Sequence, residues 1–91
     1  MPSEGIDRKS RELFFETVCK LSGNEVAESF FKDLFSSSEI KDFSRRIFAA
    51  KLLREGVTYG EIQEQMGMSP TTINKIYFKT KGSLVLGELL D

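Results

Sequence analysis

The residues with usable chemistry gather in one short run, Ser69-Pro70-Thr71-Thr72-Ile73-Asn74-Lys75. It offers hydroxyls, a carboxamide and an ammonium, with Pro70 and Ile73 the only side chains lacking a polar group. These groups donate and accept hydrogen bonds. Asn can pair with adenine at two points, and Thr offers a hydroxyl or touches a thymine methyl. At the leading end of a helix, such groups suit base edges in the major groove of a duplex. The same residue types also open ordinary solvated helices. Lys75, Lys79 and Lys81 continue along the segment, and Lys51 and Arg54 lie upstream. Cations placed there suit phosphates, which orient a protein on DNA without reading sequence. A solvated helical face explains any single lysine equally well. Glu61 and Glu64 oppose that field. Arg45-Arg46 is a second cationic spot, suited to an anion or carboxylate, or to the rim of an interface.

Catalysis has little to stand on. The chain has no histidine, which excludes a Ser-His-Asp set, histidine acid–base work and Cys/His zinc sites. No glycine-rich phosphate loop is present. The acidic pairs Glu39/Asp42 and Glu61/Glu64 suit helix surfaces and N-terminal dipoles. We therefore assign no catalytic residue, no metal site and no cofactor, and read the protein as a non-enzyme. The single cysteine, Cys19, has no partner for an intrachain disulfide. No apolar run approaches membrane-spanning length and no signal-peptide pattern opens the chain. A cytoplasmic protein without a membrane partner is expected.

The elements that position the polar run follow from local chemistry. Thr58 is placed to cap a helix containing Ile62 and Met66, which are four apart and share a face. Gly67 follows, where a helix ending in a left-handed residue wants glycine. Met68 is an apolar residue in the turn. Ser69 and Pro70 supply a cap and a first-turn proline. Ile73 and Ile76 point back at Ile62 and Met66. Two helices this short need each other, and the spacing predicts a helix-turn-helix over residues 58–80.

Upstream, residues 1–9 are polar, with Pro2 and Gly5, and are expected to form a loose arm. Residues 10–91 are expected to form a single helical domain. Ser10 can cap a first helix over about Arg11–Leu21. Ala27, Phe30, Phe31, Leu34 and Phe35 stripe a second over about Glu25–Phe35. A third, opened by Ser36 with Glu39 or by Ser38, runs to about Glu55, with Ile40, Phe43, Ile47, Phe48, Leu52 and Leu53 as its buried stripe. Leu84, Val85, Leu86, Leu89 and Leu90 form a short last helix. No β alternation, repeat or low-complexity segment is present, so the fold class is all-α.

A chain of 91 residues carrying eight phenylalanines has more large apolar side chains than it easily buries alone. A second copy is the simplest cover; a compact Phe-rich monomer is the alternative. The net charge is −1, so contact with a polyanion must come from a local patch.

Ser44 through Ile62, followed by Met66 through Lys75, resembles the Trp repressor family, most of all its YerC/YecD-type branch. There the pattern is roughly A-K-L-L-x-E-G-x-T-Y-x-E-I-x-x-x-x-G-x-S-x-x-T-I. Phe30 to Leu34 is similar to the family's F-F-x-D-L. The resemblance covers about Leu13 to Lys79. It implies six helices, an intertwined homodimer, bacterial origin and binding of an operator in double-stranded DNA. It places DNA-reading positions on Gly60, Gln63, Ser69, Pro70, Thr71 and Asn74, to which the residue chemistry adds Thr72, Lys75 and Lys79. The name-giving members need L-tryptophan as corepressor. Here the pocket pattern departs. Lys75 stands for a carboxylate-binding arginine, without its fork, and the family's serine falls near Lys79. Arg45 or Arg46 aligns with the remaining arginine, and Ile76, Tyr77 and Phe78 would crowd the cavity. The expected function is a homodimeric, Trp-repressor-like transcriptional regulator that binds specific DNA. The competing expectation is a helical protein-interaction module that uses the same helix pair without specific DNA binding. The acidic balance and thin lysine patch favour that competitor.

Overall fold

The computed structural model describes residues 2–91, with side chains from Glu4 onward. Six helices follow one another: α1 Pro2–Cys19, α2 Asn24–Leu34, α3 Ser37–Arg54, α4 Tyr59–Met66, α5 Pro70–Thr80 and α6 Leu84–Leu90. No strand occurs among the described residues. The chain divides into two compact units, one up to Ser36 and one from Ser37 to Asp91.

In the first unit, α1 starts at Pro2, so most of the stretch expected to be a loose arm is helical. The reason is positional. Proline is tolerated in a first turn, where its missing N–H has no partner to lose. Glu4 in that turn suits the helix dipole. Gly5 costs only about 1 kcal/mol inside a helix. The helix tightens at its end, where the Lys20 and Leu21 amides donate to the Thr17 and Val18 carbonyls at 3.0 and 3.1 Å. Gly23 caps α2 with φ 84°, and Asn24 is the first helical residue rather than the cap. Phe30 meets Phe31 edge-on, and Phe31 stacks on Phe35. Glu28 pairs with Lys32 at 2.7 Å. The hydrogen bond from Lys32, with its charge, holds the Glu28 carboxyl below its ordinary value. At Phe35 the backbone turns extended and α2 ends. No described side chain of α1 or α2 is buried.

The second unit has a core. Ala49 and Ala50 of α3, Ile62 of α4, Met68 of the turn, and Ile73 and Ile76 of α5 are buried together. Leu52, Leu53, Val57, Tyr59, Met66 and Leu90 pack around them. The two alanines let α4 and α5 come close to α3. This reverses the expected stripe of α3 in part: Phe48 is 50% exposed and Ile47 55%, while the small residues beside them are sealed. Gly56, at φ 82°, turns the chain out of α3.

The last helix is tied to α3. Arg54 donates through Nε and Nη2 to the two Asp91 carboxylate oxygens, both at 2.8 Å. Lys51 Nζ donates to the Leu90 carbonyl at 2.8 Å. A Cβ at Gly87 would lie 2.7 Å from Arg54 Nη2, so a larger residue there would push the guanidinium aside.

Candidate nucleic-acid interface

Helices α4 and α5 are set by their caps. Thr58 Oγ1 accepts from the Glu61 amide, and the Glu61 carboxylate accepts from the Thr58 amide, both at 3.2 Å. That reciprocal pair fixes where α4 begins. Gly67 ends it in the left-handed region, φ 61° and ψ 31°, with its amide on the Gln63 carbonyl at 2.8 Å. A β-carbon is disfavoured in that conformation. Met68 then plugs the core under the turn. Ser69 Oγ accepts from the Thr72 amide at 3.2 Å and donates to Thr72 Oγ1 at 2.9 Å. Pro70 opens α5.

Ile73 is fully buried and Ile76 nearly so, which fixes how α5 is rotated. Ser69, Pro70, Thr71, Thr72, Asn74, Lys75 and Lys79 are therefore all exposed. Gly60 and Gln63 of α4 are exposed as well, and nothing lies within 4 Å of where a Gly60 Cβ would sit. The residues expected to read DNA thus share the open side of one helix pair. Their readiness differs. The Ser69 and Thr72 hydroxyls bond to each other as part of the cap. Asn74 Oδ1 accepts from the Tyr59 phenol at 3.1 Å. Thr71 and Lys75 extend into solvent.

The cations sort into engaged and open groups. Lys51 and Arg54 serve α6, and Lys51 also lies 3.9 Å from Glu55. Lys81 sits over Phe78, 4.8 Å from the ring centre, and 5.9 Å from that of Tyr77. Lys75 and Lys79 remain on the outer side of α5. Arg45 donates to the Met66 carbonyl, holding the end of α4. Arg45 and Arg46 line a cleft of about 300 Å³ with Asp42, Gly67, Met68, Ser69, Thr72 and Ile76. Lys75 does not line it, so Arg45, Arg46 and Lys75 do not converge on one anion.

Tyr59 was not among the expected site residues. Its signal in the sequence was a phenol directly after a helix cap, facing a partner helix. A half-buried Tyr usually finds a partner for its hydroxyl, and the exposed carboxamide on α5 supplies one.

The match to known families decides the relationship. The chain fits the Trp repressor protein family over residues 9–79. It belongs to that family. It is 34% identical over 76 residues to the uncharacterized protein YerC of Bacillus subtilis (strain 168), covering 84% of this chain and 73% of that relative. No solved structure matches. The six-helix order and the absence of strands among the described residues agree with the family's fold.

The residues that the resemblance assigns to an L-tryptophan pocket, Arg45 or Arg46 with Lys75 and a position near Lys79, do not gather at one place. The Arg45 guanidinium is committed to a backbone carbonyl. Lys75 lies on the outer side of α5, outside the cleft. Met68 and Ile76 occupy the cleft's inner wall as core residues. Arg46 is the guanidinium left on that cleft, and Lys75 does not join it there.

Proposed function

We propose that the protein is a cytoplasmic, homodimeric transcriptional regulator that binds a two-fold operator in double-stranded DNA through α5. The observation that carries this reading is the division of α5. Ile73 and Ile76 anchor one side completely, while Thr71, Thr72, Asn74 and Lys75 stand open on the other. A recognition helix needs both: a rigid seat, and a polar leading end free to enter a groove. Gly60 and Gln63 of α4 flank the groove, and Lys75 and Lys79 meet phosphates. Membership of the Trp repressor family supports the reading. The second copy covers apolar side chains that one chain leaves open, among them Phe15, Phe48 and Leu84. Among the described residues, no helix is long and apolar enough to cross a membrane.

Selection of bound sequences from a randomised duplex library tests the proposal. A two-fold consensus is expected. Thr71→Ala and Asn74→Ala should each weaken binding to it by about 1–3 kcal/mol. Affinity should fall steeply as salt rises, because phosphate contacts release counterions. Enrichment of no sequence, with salt-independent binding to a protein partner instead, would establish the interaction-module reading.

A further inference from the structure

Asn74 is exposed, yet its carboxamide is not free to turn. The Tyr59 phenol donates to Oδ1 at 3.1 Å. Tyr59 is itself held. It is the first residue of α4, directly after the capping box. Its ring packs against the buried cluster of the second unit and meets the Tyr77 ring edge-on, 6.3 Å between centres and 65° between planes. Asn74, Tyr77, Phe78 and Lys81 are spaced i, i+3, i+4 and i+7, so they follow one face of α5 and its end. Tyr59 is thus a strut from the start of α4 to the polar side of α5.

The consequence is chemical. A free Asn side chain offers a donor and an acceptor and can present either by rotating about its last bond. Two-point pairing with adenine uses both. With Oδ1 turned toward α4 and engaged there, the amide NH2 is the group that faces outward. We propose that Tyr59 is a specificity-determining positioning residue: it pins the Asn74 carboxamide so that Asn74 reads a hydrogen-bond acceptor on a base edge. Guanine O6 and N7, adenine N7 and thymine O4 qualify. Cytosine presents an amino donor in the major groove and is rejected at that position. The proposal rests on α5 being the DNA-reading helix.

The test measures full-length protein on duplexes carrying the selected site, with each of the four bases in turn at the position Asn74 contacts. Wild type should disfavour cytosine by about 2- to 10-fold, the range of one net hydrogen bond, and should tolerate guanine, thymine and adenine. Tyr59→Phe keeps the ring and its packing but releases the amide. In that variant the cytosine penalty should disappear and adenine should gain relative to the other bases. Asn74→Ala should flatten the ranking, and adding Tyr59→Phe to it should change nothing further. A second readout needs no variant and no DNA. Side-chain 15N relaxation of the wild type should find the Asn74 amide more rigid than that of the exposed Asn24. A Tyr59→Phe variant with the wild-type ranking, an adenine preference in the wild type, or an Asn74 amide as mobile as that of Asn24 would overturn the proposal while leaving DNA reading intact. A wild-type chain that selects no sequence would remove both this inference and the function it rests on.

Discussion

The two units of this chain use similar residues to opposite ends. In α3–α5, side chains of moderate size are sealed: Ile62 and Ile73 are 0% exposed. In α1–α2, side chains as large or larger stay open: Phe15 is 59% exposed, and Leu13 and Leu34 are each 63% exposed. Helical propensity does not separate them, since both units are helical throughout. What separates them is whether apolar stripes face one another within the unit. α4 and α5 are joined by a three-residue turn that brings Ile62 onto Ile73. α1 and α2 carry heavier stripes, but nothing within their own unit closes over them. A core thus exists where short connections and small residues permit close approach. Phe15 and the open leucines of the first unit call for a surface from elsewhere, and in the proposed function that surface is a second copy.

The contrast is broken most severely from the sealed side. Ile73→Ala removes a fully buried side chain from a core of only six residues. It should cost about 2–5 kcal/mol and abolish a sharp thermal transition followed by circular dichroism. Phe15→Ala removes a larger side chain and should cost under about 1 kcal/mol in dilute protein, because surface positions change stability little. At concentrations where copies associate, the Phe15→Ala cost should climb toward the about 3–5 kcal/mol of a buried phenylalanine. A Phe15→Ala penalty that does not vary with concentration would mean that no second copy covers the first unit.

A smaller effect is expected at the turn. Gly67 sits at φ 61° with nothing within 4 Å of its missing Cβ. Gly67→Ala therefore meets no steric clash, only the left-handed backbone penalty of roughly 1–2 kcal/mol. Melting temperature should fall accordingly, and DNA affinity should fall further if the angle between α4 and α5 relaxes. Gly67→Asn, which tolerates that conformation better, should recover most of the loss.

How much of this was legible in the sequence follows the range of the interactions. The reading head was legible because its determinants are local. Thr58, Gly67, and Ser69 with Pro70 each act within one turn of helix, and the structure places them as that chemistry requires, adding the reciprocal bond of Glu61 to the Thr58 cap. The start of α1 was misread because Pro2 and Gly5 were weighed as breakers, although a proline in a first turn starts a helix. The buried face of α3 was misjudged because periodicity favours large residues. Packing chose Ala49 and Ala50, which are slim enough for two helices to approach. Contacts distant in sequence left little pattern to read. Arg45 on the Met66 carbonyl, Tyr59 on Asn74 and Arg54 on Asp91 each depend on how the helices meet.

That last contact predicts the gentlest effect, a pH dependence confined to the end of the second unit. Hydrogen bonds from Arg54, together with the charges of Arg54 and Lys51, hold the Asp91 carboxyl below its ordinary value against a smaller opposing effect of desolvation. A carboxyl whose pKa is lowered by folding stabilises the fold above its unfolded pKa. That contribution is lost as pH falls through the lowered folded value. Arg54, its pKa raised by the same carboxylate, stays charged throughout and adds no slope. Asp91 is exposed and Arg54 half-buried, so the pair is partly screened by salt, and the effect belongs to α6 rather than to the whole molecule. Amide hydrogen exchange in Leu84–Leu90 should quicken below the ordinary aspartate range while exchange at Ile62 and Ile73 stays slow. Asp91→Asn should give fast α6 exchange at neutral pH and remove the dependence. An α6 that protects its amides equally at both pH values would show that Gly87 and Leu90 packing alone hold it, with the ion pair contributing nothing.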